Sequence, residues 1–482
     1  MKKKFNDPTK KEASNEITFS LLSMAALFFV GAIVTGCSNE DESKPSTPQP
    51  TPSKSITLTT TVSRDGEGDT RAVTEGGVKT FAVDEQIAVS YTNTSSQRVV
   101  AVSNALTVDD ITNDGKDAKI TVTLTDPVAG SVDYIYPANM ANSDGTTNYS
   151  ALCMQDGTWA TLSTKLDYAK GSGEMTGSGS EFTLPSIALA NQLAICKFKV
   201  KNSGTEITSS ITGLTVSDGI NTYTVSRPAT DTPIYMAIQP VSSDKTFSFV
   251  ANNATNSYYK NVTNLTLEAN NIYPLNVTMT QGQTKDLATL GADYEAQNGD
   301  MLTGKLAANR MISIAAGAIV TLNGVSINYD ASPALSGSFA GITCLGNATI
   351  IVSGTNYVKG FSSGYPGIFV PSGSTLTITG DGTLFAAGHE NGAGIGSGRS
   401  DIDAVKDCGN IVIQGGTIWG TGGTGAAGIG SGAGTDENPS SCGNITIKSS
   451  VTQVDATPGS GADPIGRGDH STSGTVTRED SH

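Results

Sequence analysis

Histidine, tryptophan and positive charge are scarce in this chain. The 482 residues hold three histidines (His389, His470 and His482) and two tryptophans. No His-Glu-x-x-His pair of zinc ligands occurs. Cys153, Cys196 and Cys344 fall outside any Cys-x-x-Cys or Cys/His spacing, so no zinc site is indicated. Lysine and arginine number 30 against 45 acidic residues, a net charge of −15. A surface this acidic repels nucleic-acid phosphate, and no basic patch offsets it; a nucleic-acid partner is not expected. The apolar run Leu21–Val34 covers about 14 residues, too short to span a bilayer comfortably.

What the chain does have is glycine, 55 residues of it, with only 6% aromatics. That composition fits many short strands and turns, and the length allows two to four domains. A seam near residue 285 divides two patterns. Before it, from about 55 to 280, apolar residues alternate with polar ones between Asn, Asp, Gly and Ser clusters. After it, glycine-punctuated units recur. Gly394-Ile395-Gly396-Ser397-Gly398 and Gly428-Ile429-Gly430-Ser431-Gly432 are each followed by a Cys-Gly-Asn-Ile-x-Ile run, starting at Cys408 and Cys442. Further Gly-Ile pairs begin at Gly341 and Gly367, and Pro464-Ile465-Gly466 reads as a degenerate last copy. A fixed period carrying one short strand per unit predicts stacked parallel coils, a β-solenoid over 290–470.

Candidate strands before the seam are Ile56–Val62, Gln86–Tyr91, Lys119–Thr125, Val132–Tyr136, Leu193–Val200, Gly213–Val216, Pro233–Gln239, Thr246–Val250 and Tyr273–Met279. With no long amphipathic helix between them they predict β-sandwiches. The Gly/Ser-rich stretch 171–180 is expected to separate two sandwich domains, 55–170 and 181–282.

The N-terminus is a targeting segment. Lys2, Lys3, Lys4, Lys10 and Lys11 precede the apolar run, which ends in Val34-Thr35-Gly36-Cys37. This resembles the lipobox of bacterial lipoproteins, with residues 1–36 as signal peptide and Cys37 as the lipidated residue. An ordinary signal peptide with an incidental cysteine is the alternative. Buried acyl chains supply roughly 0.8 kcal/mol per CH₂, so a multiply acylated Cys37 would anchor the chain stably to the outer membrane. Ser38-Asn39-Glu40-Asp41-Glu42 resembles an acidic surface-export signal, and could equally be solvated linker. Residues 37–54 hold the lipidated cysteine and a proline-rich linker, in which 43–54 form a spacer with a reach of roughly 35–40 Å.

A second resemblance covers about 225 residues. Thr70-Arg71-Ala72, Phe81-x-x-Asp84-x-x-Ile87-Ala88-Val89, Asp133-Tyr134-Ile135-Tyr136-Pro137, Asn191 to Phe198 and Leu267 to Tyr273 follow in order as in the fimbrillin-like (type V pilin) surface lipoproteins. The resemblance implies two transthyretin-like β-sandwiches, a pilus role, other fimbrial subunits as partners and a cell-surface location. It also implies processing after an arginine. Cleavage frees the first strand, Ile56–Val62, and a partner's strand fills the groove by edge pairing. Arg71 is the matching position and Arg64 a nearby alternative; the plainer reading is a loop arginine beside a permanent strand. Asp84-Glu85-Gln86 and Asn270-Asn271 depart from the family pattern.

The glycine-rich C-terminal part is similar to parallel β-helix domains often labelled carbohydrate-binding, which implies a glycan or host surface as ligand. Cys408 and Cys442 lie one period apart, so adjacent coils bring them within disulfide range; a ladder of small buried side chains is the alternative. Stacked loops would gather Asp401, Asp403, Asp407, Asp436 and Glu437, oxygen ligands of a kind that suits Ca²⁺ or accepts bonds from sugar hydroxyls; solvated loop acids are the commoner case. Gly420-Thr421-Gly422-Gly423-Thr424-Gly425 spells a nucleotide fingerprint but opens no helix, and tight coil corners at positive φ account for it. His389-Glu390 with Arg399 and Asp401 is the one cluster that could serve acid/base work on a polysaccharide. The expectation is an all-β, non-catalytic surface protein: a fimbrial accessory or tip adhesin, or a glycan-binding lipoprotein that never polymerises.

Overall fold

The computed structural model describes residues 53–64, 80–242, 245–329 and 335–479. Cys37, the proline-rich spacer and Arg71 lie outside the described residues. Ser53–His482 forms one compact unit. The chain is all-β, with strands from Ser55–Arg64 to Val476–Arg478 and helices of at most seven residues among the described residues.

Nine strands make the first sheet. From one edge they run Arg98–Val102, Ala88–Thr92, Gly130–Tyr136, Ala169–Ser178, Ile187–Asn191, Ser55–Arg64, Asp117–Thr125 and Ile111–Thr112, with Glu181–Thr183 beside Ala169–Ser178. Alternation explains why these segments are strands. In Asp117–Thr125, Ala118, Ile120, Val122 and Leu124 are buried and their neighbours face outward. They close a core with Val62, Ile87, Val89, Val132, Tyr134 and Leu189.

The Gly/Ser-rich stretch is not a linker, as its composition led us to expect. It forms the strand Ala169–Ser178 inside the first sheet, antiparallel to Gly130–Tyr136. Its glycines serve close approach. A methyl group on Gly171 would sit 2.2 Å from Ile187 Cγ2, and one on Gly173 2.7 Å from Ile187 Cδ1. The first sheet therefore runs on to Asn191.

The second sheet runs Thr205–Glu206, Ala194–Asn202, Ile272–Gln281, Ser257–Thr263, Thr246–Asn252, Gly213–Ser217, Thr222–Ser226 and Met154–Gln155, with Ile234–Ile238 beside Ala194–Asn202. Two short helices, Ser150–Cys153 and Trp159–Lys165, also belong to its core, through Leu152 and Leu162. Thr158 Oγ1 caps the second by accepting from the Thr161 amide at 3.2 Å.

From Thr284 onward the pairing is parallel. Seven strands stack in one sheet, Tyr294–Ala296, Ile312–Ile314, Ile342–Cys344, Ile368–Phe369, Ile395–Gly396, Ile429–Gly430 and Ile465–Gly466. Ile342, Ile368, Ile395, Ile429 and Ile465 are register partners in turn, so each Gly-Ile pair is one rung. A twelve-strand sheet contributes two further columns. Both start at Ile319–Ile327: one passes through Ala348–Ser353, Thr375–Gly380, Asn410–Ile413 and Ile445–Ile447, the other through Thr355–Lys359, Thr383–Ala387, Thr417–Thr421 and Gln453–Thr457. Between the two sheets lies a continuous aliphatic core.

The parallel strands do not trail behind the second sheet; they pack against it. Thr379 Oγ1 lies 3.0 Å from Thr224 Oγ1 and 3.2 Å from the Met154 sulfur, and Ser226 Oγ donates to Asp381 Oδ2 at 2.5 Å. Val250, Ile319 and Ile351 form a small apolar cluster with Tyr259 in the same contact. Threonine-rich faces that alternation alone would assign to solvent are buried here, Thr215, Thr321 and Thr379 all fully.

Candidate functional site

The first strand ends in a buried ion pair. Arg64 closes Ser55–Arg64, whose inward positions are Ile56, Leu58, Thr60, Val62 and Arg64. Its Nη1 lies 2.8 Å from Asp167 Oδ2, with side chains 5% and 1% exposed. The guanidinium carbon sits 3.9 Å above the Tyr136 ring and 5.0 Å from that of Phe81, and those two rings meet edge to face. Tyr136 donates to Glu85 Oε1 at 2.5 Å, and burial pushes its hydroxyl pKa up. In this state the Arg64 side chain is buried. Sequence reasoning missed its burial. The signal was the tetrapeptide Thr61-Val62-Ser63-Arg64, which recurs as Thr224-Val225-Ser226-Arg227, where Arg227 is also buried and donates to the carbonyls of Thr208, Ile211 and Thr232.

The Gly-Ile-Gly-Ser-Gly units are explained by serine. Ser397 Oγ accepts the Gly432 amide at 2.9 Å, and Ser431 Oγ the Gly468 amide at 2.8 Å, one coil on. Both serines are fully buried. Gly396 and Gly430 take φ of +137° and +140°, which side chains rarely adopt. In Gly420–Gly425 the expected positive φ is found only at Gly425, at +72°. The others are there for proximity: a methyl group on Gly422 would lie 2.1 Å from the Ala426 carbonyl oxygen.

Cys408 and Cys442 are joined by a disulfide, their Cα atoms 4.4 Å apart. Cys153, Cys196 and Cys344 are free and buried, and burial pushes their thiols up to about 11, 12 and 12. The five loop acids do not converge. Asp401 pairs with Arg399, Asp403 lies 3.6 Å from Lys406 Nζ, Asp407 Oδ1 accepts from Ser441 Oγ at 2.7 Å, and Asp436 meets His470 Nδ1 at 2.5 Å. Among the described residues no group of three or more His, Cys, Asp or Glu is placed to hold a metal.

His389, Glu390 and Arg399 come together around Gly364 and Tyr365. The Arg399 amide donates to the Gly364 carbonyl at 2.8 Å, the His389 amide to that of Tyr365 at 3.0 Å, and Gly364 in turn donates to Glu390. His389 Nδ1 accepts the Glu390 amide at 2.9 Å. The letters Gly-x-Ser-x-Gly occur at Gly360–Gly364, yet the chain there loops between two strands and not into a helix, which a nucleophile elbow needs.

One outward column remains uncovered by the second sheet. Tyr329, Tyr357, Phe385 and Trp419 stack with centroids 5.0, 5.0 and 5.9 Å apart, the last two pairs within 16° of parallel. Ring faces are thus turned to one another, and Trp419, 36% exposed, ends the column beside Asp455.

No family profile matches the chain, and neither does any curated protein. Solved structures share part of it. A fimbrial assembly protein from Parabacteroides distasonis overlaps 47% of this chain and 91% of its own, at 13% identity and a TM-score of 0.27. Putative cell adhesion proteins from Bacteroides fragilis and Bacteroides ovatus overlap 45% and 48% of it, 92% and 96% of their own, at 14% and 13% identity and TM-scores of 0.25 and 0.24. Among the described residues no helix is long and apolar enough to cross a membrane.

Proposed function

We propose that the chain is a surface lipoprotein anchored at the outer membrane through Cys37, built from two fimbrillin-like β-sandwiches and a parallel β-helix, and serving as a fimbrial accessory or tip adhesin. The observation that carries this reading is the position of the first strand. Ser55–Arg64 lies inside its sheet, antiparallel to Asp117–Thr125 along almost its whole length and parallel to Ile187–Leu189 at its end. It precedes segment 65–79, which contains Arg71, so a cut there would leave it held by non-covalent contacts alone. Its removal would open a groove between two strands, ready for pairing with another chain.

The β-helix is proposed to present a glycan or host surface, with the Tyr357–Phe385–Trp419 column as its accessible aromatic feature. The proposed adhesin binds and does not catalyse; polysaccharide cleavage lost in His389→Ala or Arg399→Ala would mark an enzyme instead.

A second reading, a glycan-binding lipoprotein that never polymerises, is favoured by one feature. Ile272–Gln281 pairs with strands on both sides, and the chain runs from it straight into Thr284–Asp286. The strand that would be donated to a neighbour has no free end there, which also suits a subunit that closes a fibre.

The test is limited digestion of residues 38–482 with an arginine-specific protease, followed by light scattering alone and with a fimbrial stalk subunit. A cut at Arg71 and a stable complex are expected. A protein that resists cleavage there, or is cut and pairs with nothing, leaves the non-polymerising reading.

A further inference from the structure

The second sheet and the parallel coils touch along one row of residues and leave a gap along the next. Val250, Thr215 and Thr224 are register partners in turn on the sheet, as are Ile351 and Thr379 on the coils. Thr379 lies against Thr224, and Ile351 shares an apolar cluster with Val250. Side chains return to one face of a strand at every second residue. Two positions along, the sheet presents Ser248, Ser217 and Thr222, and the coils present Thr349 and Thr377, again register partners. Between these rows lies a cleft of about 570 Å³. Ligand pockets typically span roughly 300–1,000 Å³.

Its walls are rich in hydroxyls. Ser217, Thr222 and Ser248 line one side, Thr349, Thr375 and Thr377 the other, and among the described residues no aromatic side chain lines it. Ser217 Oγ accepts from the Gly219 amide at 3.2 Å and from Thr222 Oγ1 at 3.1 Å. That leaves the Ser217 hydrogen to donate and the Thr222 oxygen to accept, side by side on one wall. A turn fixes this wall, with the Asp218 amide donating to the Asn221 carbonyl at 3.1 Å. The charged lining residues are one of each sign, Asp218 and Lys245. Asp218 is engaged in the turn, where its Oδ1 accepts the amides of Ile220 at 2.9 Å and Asn221 at 2.6 Å. Ile220 stands at the tip of the turn, 76% exposed, and also lines the cleft.

We propose that this cleft binds a short neutral oligosaccharide, held between the second sheet and the parallel coils. The proposal rests on the glycan-binding reading above and places the ligand apart from the aromatic column. Hydroxyl walls suit a ligand whose own hydroxyls donate and accept at close spacing. An apolar ligand would strip water from Ser217, Thr222 and Thr349 and offer them no partner. An anionic ligand would find Lys245 accompanied by Asp218, on a chain of net charge −15. Ile220 and the threonine methyl groups supply apolar contact for the C–H face of a sugar ring.

The experiment titrates residues 38–482 with cellotetraose, maltotetraose, mannotetraose, xylotetraose and chitotetraose by calorimetry, with tetragalacturonate as the anionic counterpart. At least one neutral probe is expected to bind at least about tenfold more tightly than tetragalacturonate. With that probe bound, hydrogen exchange of the unaltered protein should slow in the 217–222 turn and in Thr375–Gly380 together. Thr377→Val, which keeps the shape of the wall, and Ser217→Ala should each weaken binding by about five- to tenfold. Binding that survives both substitutions and is lost in Trp419→Ala overturns the proposal and leaves the glycan reading standing on the aromatic column. Preference for tetragalacturonate overturns it as well. If no neutral probe binds, the glycan reading itself fails and this inference with it. The exchange measurement needs no altered protein, so poor folding of a variant cannot mask the result.

Discussion

Buried polar side chains set the energetics at the residue scale. Ser397 replaces water for the Gly432 amide within a fully buried coil corner. Ser397→Ala would leave that donor unpaired, at about 1–3 kcal/mol. Urea unfolding should show a lower midpoint with an unchanged slope, and an unchanged midpoint would mean the amide finds another acceptor. His470 offers a second test at this scale. Its hydrogen bond and charge interaction with Asp436, helped by Asp469, raise its pKa above the usual imidazole value. A raised folded value means that the interaction stabilises below about pH 6.5 and is lost as pH rises through the raised value. An NMR titration should place the His470 midpoint above that of an unstructured histidine, and Asp436→Asn should bring it back.

The disulfide and the aromatic column act between elements. Cys408 and Cys442 close a loop of sequence separation 34. In the chain-entropy account such a link stabilises by about 3–4 kcal/mol, less where the coils already stack in register. Replacing both with alanine should lower the unfolding midpoint of the parallel region; equal midpoints would show that the coil stack alone fixes the corner. Trp419→Ala removes the accessible end of the aromatic column, and with it about 0.5–1.5 kcal/mol of ring contact with Phe385. If the column meets a glycan, binding measured on a glycan array should drop while the fold persists.

These elements were legible to different degrees. Strict alternation made Asp117–Thr125 readable almost to its ends, because one buried face imposes a period of two. The Gly-Ile rungs were readable because each coil repeats the same corner. Ala169–Ser178 was not, since glycines that admit Ile187 look like a linker when Ile187 is sixteen residues away in the chain. Helices as short as Trp159–Lys165 hold too few turns to show a period. At the candidate site, proximity of Cys408 and Cys442 followed from the repeat, whereas Arg64 reads as a solvent-facing charge until Asp167, Tyr136 and Phe81 are folded around it.

At the scale of the whole molecule, the side-on contact changes what the chain can offer. The face carrying Thr321 and Thr379 is buried beside the second sheet, and a cleft of about 570 Å³ lined by Ser217, Thr222, Ser248, Thr349 and Thr377 stays open next to that contact. Thr379→Arg would drive a charge into the contact with Thr224 and Met154. Hydrogen exchange should then rise in Thr222–Ser226 and Thr375–Gly380 together while the coil rungs stay protected; unchanged exchange would mean the contact is incidental. The acidic balance keeps such a body soluble and away from anionic surfaces. The first strand is an interior element, paired on both sides, that a cut at Arg71 would leave held by non-covalent contacts alone. Mass spectrometry of the complex formed after cleavage at Arg71 with a fimbrial partner tests that claim most directly. The account predicts that the peptide 38–71 is absent from the complex and that a partner strand protects Asp117–Thr125. A complex that still contains the whole 38–71 peptide would contradict it.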